Sequence, residues 1–143
     1  MNNAHFEIPI PVNEPVKEYK KGSIEKENLI TTLNEMKKKT IDIPMIIDGK
    51  QITTKKKVKI TAPHDHNLHL GNFYEGDKSH VDMAIKASLK AKNDWASMSW
   101  QSRASIFLKA AELIAGPYRS KINASTMLGQ SKNIYQAEID AAC

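Results

Sequence analysis

Residues 46–61 read IIDGKQITTKKKVKIT and hold the clearest local signal in the chain. Asp48-Gly49 between β-branched residues is the sequence of a two-residue hairpin turn, with a returning run at 51–54. Residues 58–61 then alternate apolar and polar side chains up to Pro63, and a further short strand is predicted at 69–74. The sequence therefore predicts a small β portion over about 43–74.

Helical periodicity dominates on both sides of this β portion. Upstream, Ser23 precedes apolar residues at helical spacing and predicts a helix over about 24–39, after an extended, proline-punctuated arm at 1–22. Downstream, four helices are predicted. The first begins at Asp77, has a capping box from Ser79 to Asp82 and ends just before Trp95. The others run from Ser99 to Gly116, from Pro117 to Gly129, and from about Asn133 to the last residue, Cys143, without a stop.

The charge distribution is uneven along the chain. The net charge is +5 over 143 residues, and residues 1–61 hold twelve lysines against eight acidic residues. The lysine triplets at 37–39 and 55–57 have no interleaved aromatic residues, and the chain has only two arginines, Arg103 and Arg119. Arginine is the usual bidentate reader of phosphate and guanine, so a solvated lysine-rich surface is favoured over a nucleic-acid interface.

No stretch approaches the roughly 20 apolar residues that a membrane-spanning helix needs. The first residues show neither a secretory signal nor the arginine-rich character of a transit peptide, which favours a cytoplasmic location. The single cysteine, Cys143, excludes an intrachain disulfide and a multi-cysteine zinc site. Cys143 has no basic neighbour that would lower its pKa, so a small buried apolar role is favoured over a nucleophile.

The histidines near the end of the β portion offer a possible metal site. On a strand, His64 and His66 share one face while His69 lies on the other. No further ligand stands nearby to complete a set of four, so the sequence predicts a loop or strand edge and no metal site.

Glu138 is the candidate functional residue. Ile134, Ala137, Glu138 and residues 141 and 142 fall on one helical face, which places a carboxylate within an apolar stripe. A buried carboxylate needs a partner, or its pKa shifts and the group becomes neutral. The partner is either a distant Lys or Arg in a structural ion pair or a cation brought by a ligand, and the sequence leaves both open.

Several segments together resemble the aldehyde dehydrogenase superfamily. The hairpin at 46–50 resembles its opening strand pair, and the run from Trp95 through Arg103 to Ile114 resembles its second helix. Four further segments, at 63–66, 115–119, 127–133 and 136–142, and the arm at 13–16, resemble the 1-pyrroline-5-carboxylate dehydrogenase (L-glutamate γ-semialdehyde dehydrogenase) branch.

This resemblance implies an α/β fold: the N-terminal part of a NAD-binding domain, with an arm and helix at 1–40 and the domain portion at 41–143. It implies a parent enzyme that oxidises glutamate γ-semialdehyde to glutamate with NAD in proline catabolism. The family's catalytic cysteine, glutamate base and cofactor turn lie beyond residue 143, so the resemblance places no catalytic, cofactor-binding or metal residue here. It places Glu138 beside the substrate's α-ammonium group.

The same resemblance implies a homo-oligomeric parent with a small-molecule substrate and no nucleic-acid or membrane partner, in the cytoplasm or, for a eukaryotic source, the mitochondrial matrix. Residues 137–143 contain no helix stop signal, which predicts an N-terminal fragment of a longer protein. Because the resemblance places the nucleophile, the base and most cofactor contacts beyond residue 143, the fragment is expected to be inactive alone. The alternative is a non-enzymatic helical interaction module with a lysine-rich arm.

Overall fold

The computed structural model describes residues 9–10 and 12–142, and only the backbone of residues 141 and 142. Cys143, predicted to be a small buried residue, lies outside the described residues. The regular elements are α1 (Ile24–Lys38), β1 (Ile41–Ile43), β2 (Met45–Ile47), β3 (Lys50–Ile52), β4 (Lys57–Ala62), β5 (Asp65–Tyr74), α2 (Lys78–Ser97), α3 (Trp100–Ala115), α4 (Arg119–Gln130), α5 (Ile134–Ala137) and a π-helical turn (Glu138–Ala142). The predicted α/β class is confirmed.

The strands form two small sheets. The hairpin β2–β3 is antiparallel and turns at Asp48 and Gly49, which both have positive φ, as the sequence predicted. The other sheet has the order β1-β5-β4, with β1 parallel and β4 antiparallel to β5. Strand β5 begins at Asp65, four residues before the predicted start, because its first residues pair with the end of β4.

Three helix ends differ from the sequence prediction. Asp77, not Ser79, caps α2, and its carboxylate accepts hydrogen bonds from the amides of Ser79 and His80. Trp95 lies inside α2 and packs edge-to-face on Phe107 of α3, with ring centroids 6.4 Å apart. At α1, Ser23 makes no side-chain cap bond, and its backbone carbonyl accepts from the amides of Lys26 and Glu27.

The last element is a π-helical turn where the sequence predicted a continuing α-helix. Helix α5 has only four residues, with Asn133 as N-cap, and Glu138–Ala142 follow with π-helical bonding. Such turns are rare and are frequent at functional sites. The wider turn changes which residues share a face beyond Glu138, so α-helical spacing does not hold over 138–142.

The core of the described residues lies between the arm, α1 and α4. Tyr19, Leu29 and Ala124 are buried there, and four apolar side chains pack against them: Leu33, Met36, Met127 and Ile134. By contrast, no residue of α2 or α3 is buried. Within the part of the chain that the structure describes, no helix is both long and apolar enough to cross a bilayer.

Gly71 of β5 pairs with Ile41 of β1 where an added Cβ has no room, so we expect Gly71→Ala to destabilise the sheet. An added Cβ would press against the backbone oxygen of Ile41 and lie 2.9 Å from its Cγ1. Such overpacking costs about 1–3 kcal/mol of unfolding free energy. Chemical denaturation of the full-length protein measures the loss. The matched control is Gly129→Ala in α4, where a Cβ meets nothing within 4 Å; an equal loss in both variants would contradict the prediction.

Candidate functional site: a buried charge cluster around Glu138

Glu138 is fully buried and is held by four residues distant in sequence. Its Oε1 accepts from the Lys17 amide at 2.8 Å, and its Oε2 accepts from the Tyr19 hydroxyl at 2.7 Å and from Asn123 Nδ2 at 2.7 Å. The Arg119 guanidinium donates to both carboxylate oxygens, through Nε at 3.1 and 3.3 Å and through Nη2. The carboxylate therefore has its charge and its lone pairs satisfied by protein groups.

Arg119 is the cation of this cluster and is itself buried, with 3% of its surface exposed. Beyond Glu138, its Nη1 donates to the Glu14 carboxylate at 2.6 Å, and its Nη2 donates to the Pro15 carbonyl at 2.6 Å. The planar guanidinium of Arg119 on α4 thus pairs with two carboxylates, Glu138 and Glu14, and also holds the arm through the Pro15 carbonyl, which a lysine could not do.

Helix α4 positions two donors towards Glu138. Arg119 opens the helix and Asn123 follows four residues later, so both side chains lie on the same helical face. Asn123 Nδ2 also donates to the Tyr19 hydroxyl at 2.8 Å. The oxygen of the same amide is buried and has no partner among the described residues. The amide is therefore oriented by the two acceptors, Tyr19 and Glu138.

Electrostatics keep the cluster ionised as an ion pair. Burial alone would raise the pKa of the Glu138 carboxyl, but hydrogen bonds from Arg119, the Lys17 amide, Tyr19 and Asn123 outweigh it and lower that pKa to about 2. The hydrogen bond to Glu138 raises the pKa of Arg119 above its usual range. Burial, and then the neighbouring Glu138 carboxylate, raise the pKa of Tyr19 to about 12. At neutral pH the cluster therefore holds Glu138 charged and Tyr19 protonated.

The sequence left two partners open for Glu138, a distant Lys or Arg of the chain or a cation brought by a ligand. The structure shows the first of these, an ion pair with Arg119. Contact with a substrate ammonium group stays a prediction, and it has a geometric requirement. Because no surface of Glu138 is exposed, an incoming cation must displace one of the present donors. Three of the donors are neutral: the Lys17 backbone amide, the Tyr19 hydroxyl and the Asn123 side-chain amide. If one of these is displaced, the charge of Arg119 stays beside Glu138.

Sequence reasoning missed the partners of Glu138. Arg119 is one of only two arginines, and its spacing to Asn123 is a readable signal for two side chains on one helical face. Tyr19 and Lys17 lie in an arm without any periodic pattern. No local signal links that arm to a residue about 120 positions later.

Two of the three histidines weighed as metal ligands, His64 and His69, lie within hydrogen-bond distance of different groups of the chain. His64 Nδ1 lies 2.8 Å from Ser131 Oγ, and His69 Nε2 lies 2.9 Å from the carbonyl oxygen of Gly71. Within residues 9–10 and 12–142, no three His, Cys, Asp or Glu side chains are grouped so that they could hold a metal ion.

An open cavity of about 420 Å³ lies between α1, β1, β4, β5 and α4, and Glu138 is not among its lining residues. Its lining is mainly apolar, with Met36, Ile41, Ile60, Leu70 and Leu128 among its residues. Its polar lining residues are Glu35, Lys39, Lys121 and Ser125, and among the described residues their side chains form no ion pair or hydrogen bond with one another. The charge cluster is therefore the site in the described chain with distinctive chemistry.

The start of α2 follows a strand and a turn with one glycine, Gly76. The Asp77 carboxylate already occupies this helix end, and its hydrogen bonds to Ser79 and His80 keep its pKa well below the usual range. A phosphate would meet a negative charge there. The residues at this helix start therefore do not fit a dinucleotide.

Comparison with known proteins agrees with the sequence resemblance. The model of the aldehyde dehydrogenase family matches residues 50–142. A delta-1-pyrroline-5-carboxylate dehydrogenase from Agaricus bisporus is 47% identical over 97% of this chain and 26% of its own length. A probable enzyme of the same name from Schizosaccharomyces pombe is 40% identical over 96% of this chain and 25% of its own length.

Solved structures agree in fold. The delta-pyrroline-5-carboxylate dehydrogenase from Mycobacterium tuberculosis, crystallised with NAD, superposes with a TM-score of 0.95 at 42% identity. The match covers 99% of this chain and 26% of the solved chain. The chain thus spans about a quarter of the length of the relatives it matches.

Proposed function

Because the chain belongs to the aldehyde dehydrogenase family, we propose that the full-length protein carrying it oxidises L-glutamate γ-semialdehyde to L-glutamate with NAD. The observation that carries this proposal is the 47% identity, over nearly the whole chain, to an enzyme named for 1-pyrroline-5-carboxylate. The cyclic imine 1-pyrroline-5-carboxylate is in equilibrium, by hydrolysis, with the open-chain semialdehyde. Oxidation of the semialdehyde is the glutamate-forming step of proline catabolism.

Residues 41–143 would form the N-terminal portion of the NAD-binding domain, preceded by the arm and helix at 1–40. Two exposed apolar faces support the assignment of the chain to one portion of a larger domain. Val81, Ile85 and Leu89 on α2 are each more than half exposed, and so are Phe107 and Leu108 on α3. Apolar faces of this size require cover, and the three quarters of the relatives' length outside this chain would supply it.

NAD would be the hydride acceptor. The described residues contain no glycine-rich turn between a strand and a helix that would hold the NAD pyrophosphate. We therefore assign no cofactor contact and no catalytic residue to this chain. What its residues contribute chemically is the Glu138 cluster. Glu138 is proposed to contact the substrate's α-ammonium group once one of its neutral donors is displaced.

The proposed assembly and location follow the relatives. The full-length protein is proposed to be a homo-oligomer without nucleic-acid or membrane partners. A cytoplasmic location is proposed for a bacterial source and the mitochondrial matrix for a eukaryotic one. The relatives from Dictyostelium discoideum and Danio rerio are named as mitochondrial enzymes.

The proposed function is tested by following NADH absorbance with L-glutamate γ-semialdehyde as substrate. The full-length protein is expected to reduce NAD, and the 143-residue chain alone is expected to give no rate above background. Failure of the full-length protein to oxidise this aldehyde would overturn the function. Turnover by the 143-residue chain would instead overturn the division of roles between the chain and the remaining sequence.

A further inference from the structure

Residues 14–19 of the arm, called the strap below, lie across the buried ion pair and contact both of its charges. We propose that the strap detaches from the ion pair as one unit and thereby controls ligand access to the Glu138 carboxylate. The Tyr19 side chain is the main contact that holds it closed. This proposal stands on the contacts of the strap and does not rest on the proposed function.

Contacts at both ends of the strap hold it to the helices. At one end, the Glu14 carboxylate and the Pro15 carbonyl oxygen accept from Arg119. At the other end, the Lys17 amide and the Tyr19 hydroxyl donate to Glu138. Each bond joins residues more than 100 positions apart. Because both ends engage the same ion pair, releasing one end weakens the hold on the other, and the strap opens cooperatively.

Tyr19 carries backbone strain as well as contacts. Its φ is +51°, in the left-handed region that is unfavourable for an aromatic residue. Tyr19 is 7% exposed and packs in the core with Leu29 and Ala124, while its hydroxyl donates to Glu138 and accepts from Asn123. Such strain persists only where the surroundings over-determine the conformation. Removing the hydroxyl contacts therefore favours release of the strap.

The consequence of opening concerns Glu138. With the strap closed, the carboxylate has no exposed surface. With the strap open, Glu138 loses the Lys17 and Tyr19 donors but keeps Arg119 and Asn123, which both lie on α4. The vacated positions are those of two hydrogen-bond donors, so a cationic or hydrogen-bond-donating group could take their place. Strap opening is thus the movement that makes Glu138 available to a ligand.

The test is native-state hydrogen exchange of the Lys17 amide in the full-length protein. This amide donates to Glu138 directly, so its protection reports the closed strap. Tyr19→Phe removes the hydroxyl and keeps the ring. We expect the Lys17 amide to exchange about 5- to 30-fold faster in Tyr19→Phe, while the amides in the middle of α1 keep their rates.

A matched control and a second variant sharpen the test. Tyr135→Phe, at an exposed tyrosine of α5, should leave the Lys17 amide unchanged. Glu14→Gln, at the opposite end of the strap, should accelerate the Lys17 amide as well, because the strap opens as a unit. An unchanged Lys17 rate in Tyr19→Phe, or the same acceleration throughout α1, would overturn the proposal. So would acceleration in Tyr19→Phe with none in Glu14→Gln.

Discussion

Replacing Arg119 by methionine is expected to cost the full-length protein about 3–5 kcal/mol of unfolding free energy, because it leaves Glu138 as a buried carboxylate without its cation. The side chain of Arg119 is 3% exposed and that of Glu138 is fully buried, so water cannot replace the lost partner. Glu14 and the Pro15 carbonyl lose their donor at the same time. Equilibrium denaturation of the wild type and Arg119→Met measures the difference.

The pH dependence of the Arg119→Met effect provides an internal check. The pKa of Glu138 in the folded wild type is about 2, below its ordinary value of 4.5. A lowered folded pKa gives stability that is present above pH 4.5 and is lost as pH falls towards 2. The gap in unfolding free energy between wild type and Arg119→Met should therefore narrow over that window. A gap that is constant with pH would contradict the ion-pair explanation.

Two further variants separate charge pairing from packing. Lys121→Met changes an exposed cation on the same helix and should alter the unfolding free energy by less than about 0.5 kcal/mol. The double variant Arg119→Met with Glu138→Gln should lose less than the sum of the two single variants, because it leaves no unpaired buried charge. Strict additivity would show that the two residues act independently.

Glu138→Gln in the full-length protein is expected to lower kcat/KM for L-glutamate γ-semialdehyde about 10- to 150-fold, the loss of one charge-assisted hydrogen bond to the ammonium group. An aldehyde without an amino group has nothing that needs the anion, so its kcat/KM should fall much less. The unfolding free energy falls whether Glu138 contacts the substrate or only pairs with Arg119, because Arg119 keeps a buried charge in both cases. The ratio between the two aldehydes is therefore the informative measurement.

A matched carboxylate control is available two residues along the chain. Asp140 is partly exposed and pairs with Lys132, so Asp140→Asn should leave the kinetics of both aldehydes close to wild type. Equal losses for the two aldehydes in Glu138→Gln would assign Glu138 to the structural ion pair with Arg119 alone. A selective loss for the amino aldehyde would place the carboxylate at the substrate.

Local signals in the sequence predicted most of the secondary structure. The hairpin at Asp48-Gly49 depends on the backbone preferences of two adjacent residues, and the cap of α3 depends on Ser99 and its near neighbours. Such features need no information from the rest of the chain. The end of α2 and the π-helical turn after α5 were not predicted, and each carries a tertiary contact that no local pattern reports, Trp95 with Phe107 and Glu138 with Asn123.

The sequence by itself determined that Glu138 lies in an apolar stripe and must find a partner, because an unpaired buried charge is too costly. Only the tertiary structure decided that Arg119 is that partner and that Tyr19, Asn123 and the Lys17 amide are the other donors to Glu138. The physical reason is range. Helical and strand periodicity report contacts within a few residues, whereas the path of the arm across α4 brings together groups more than 100 residues apart.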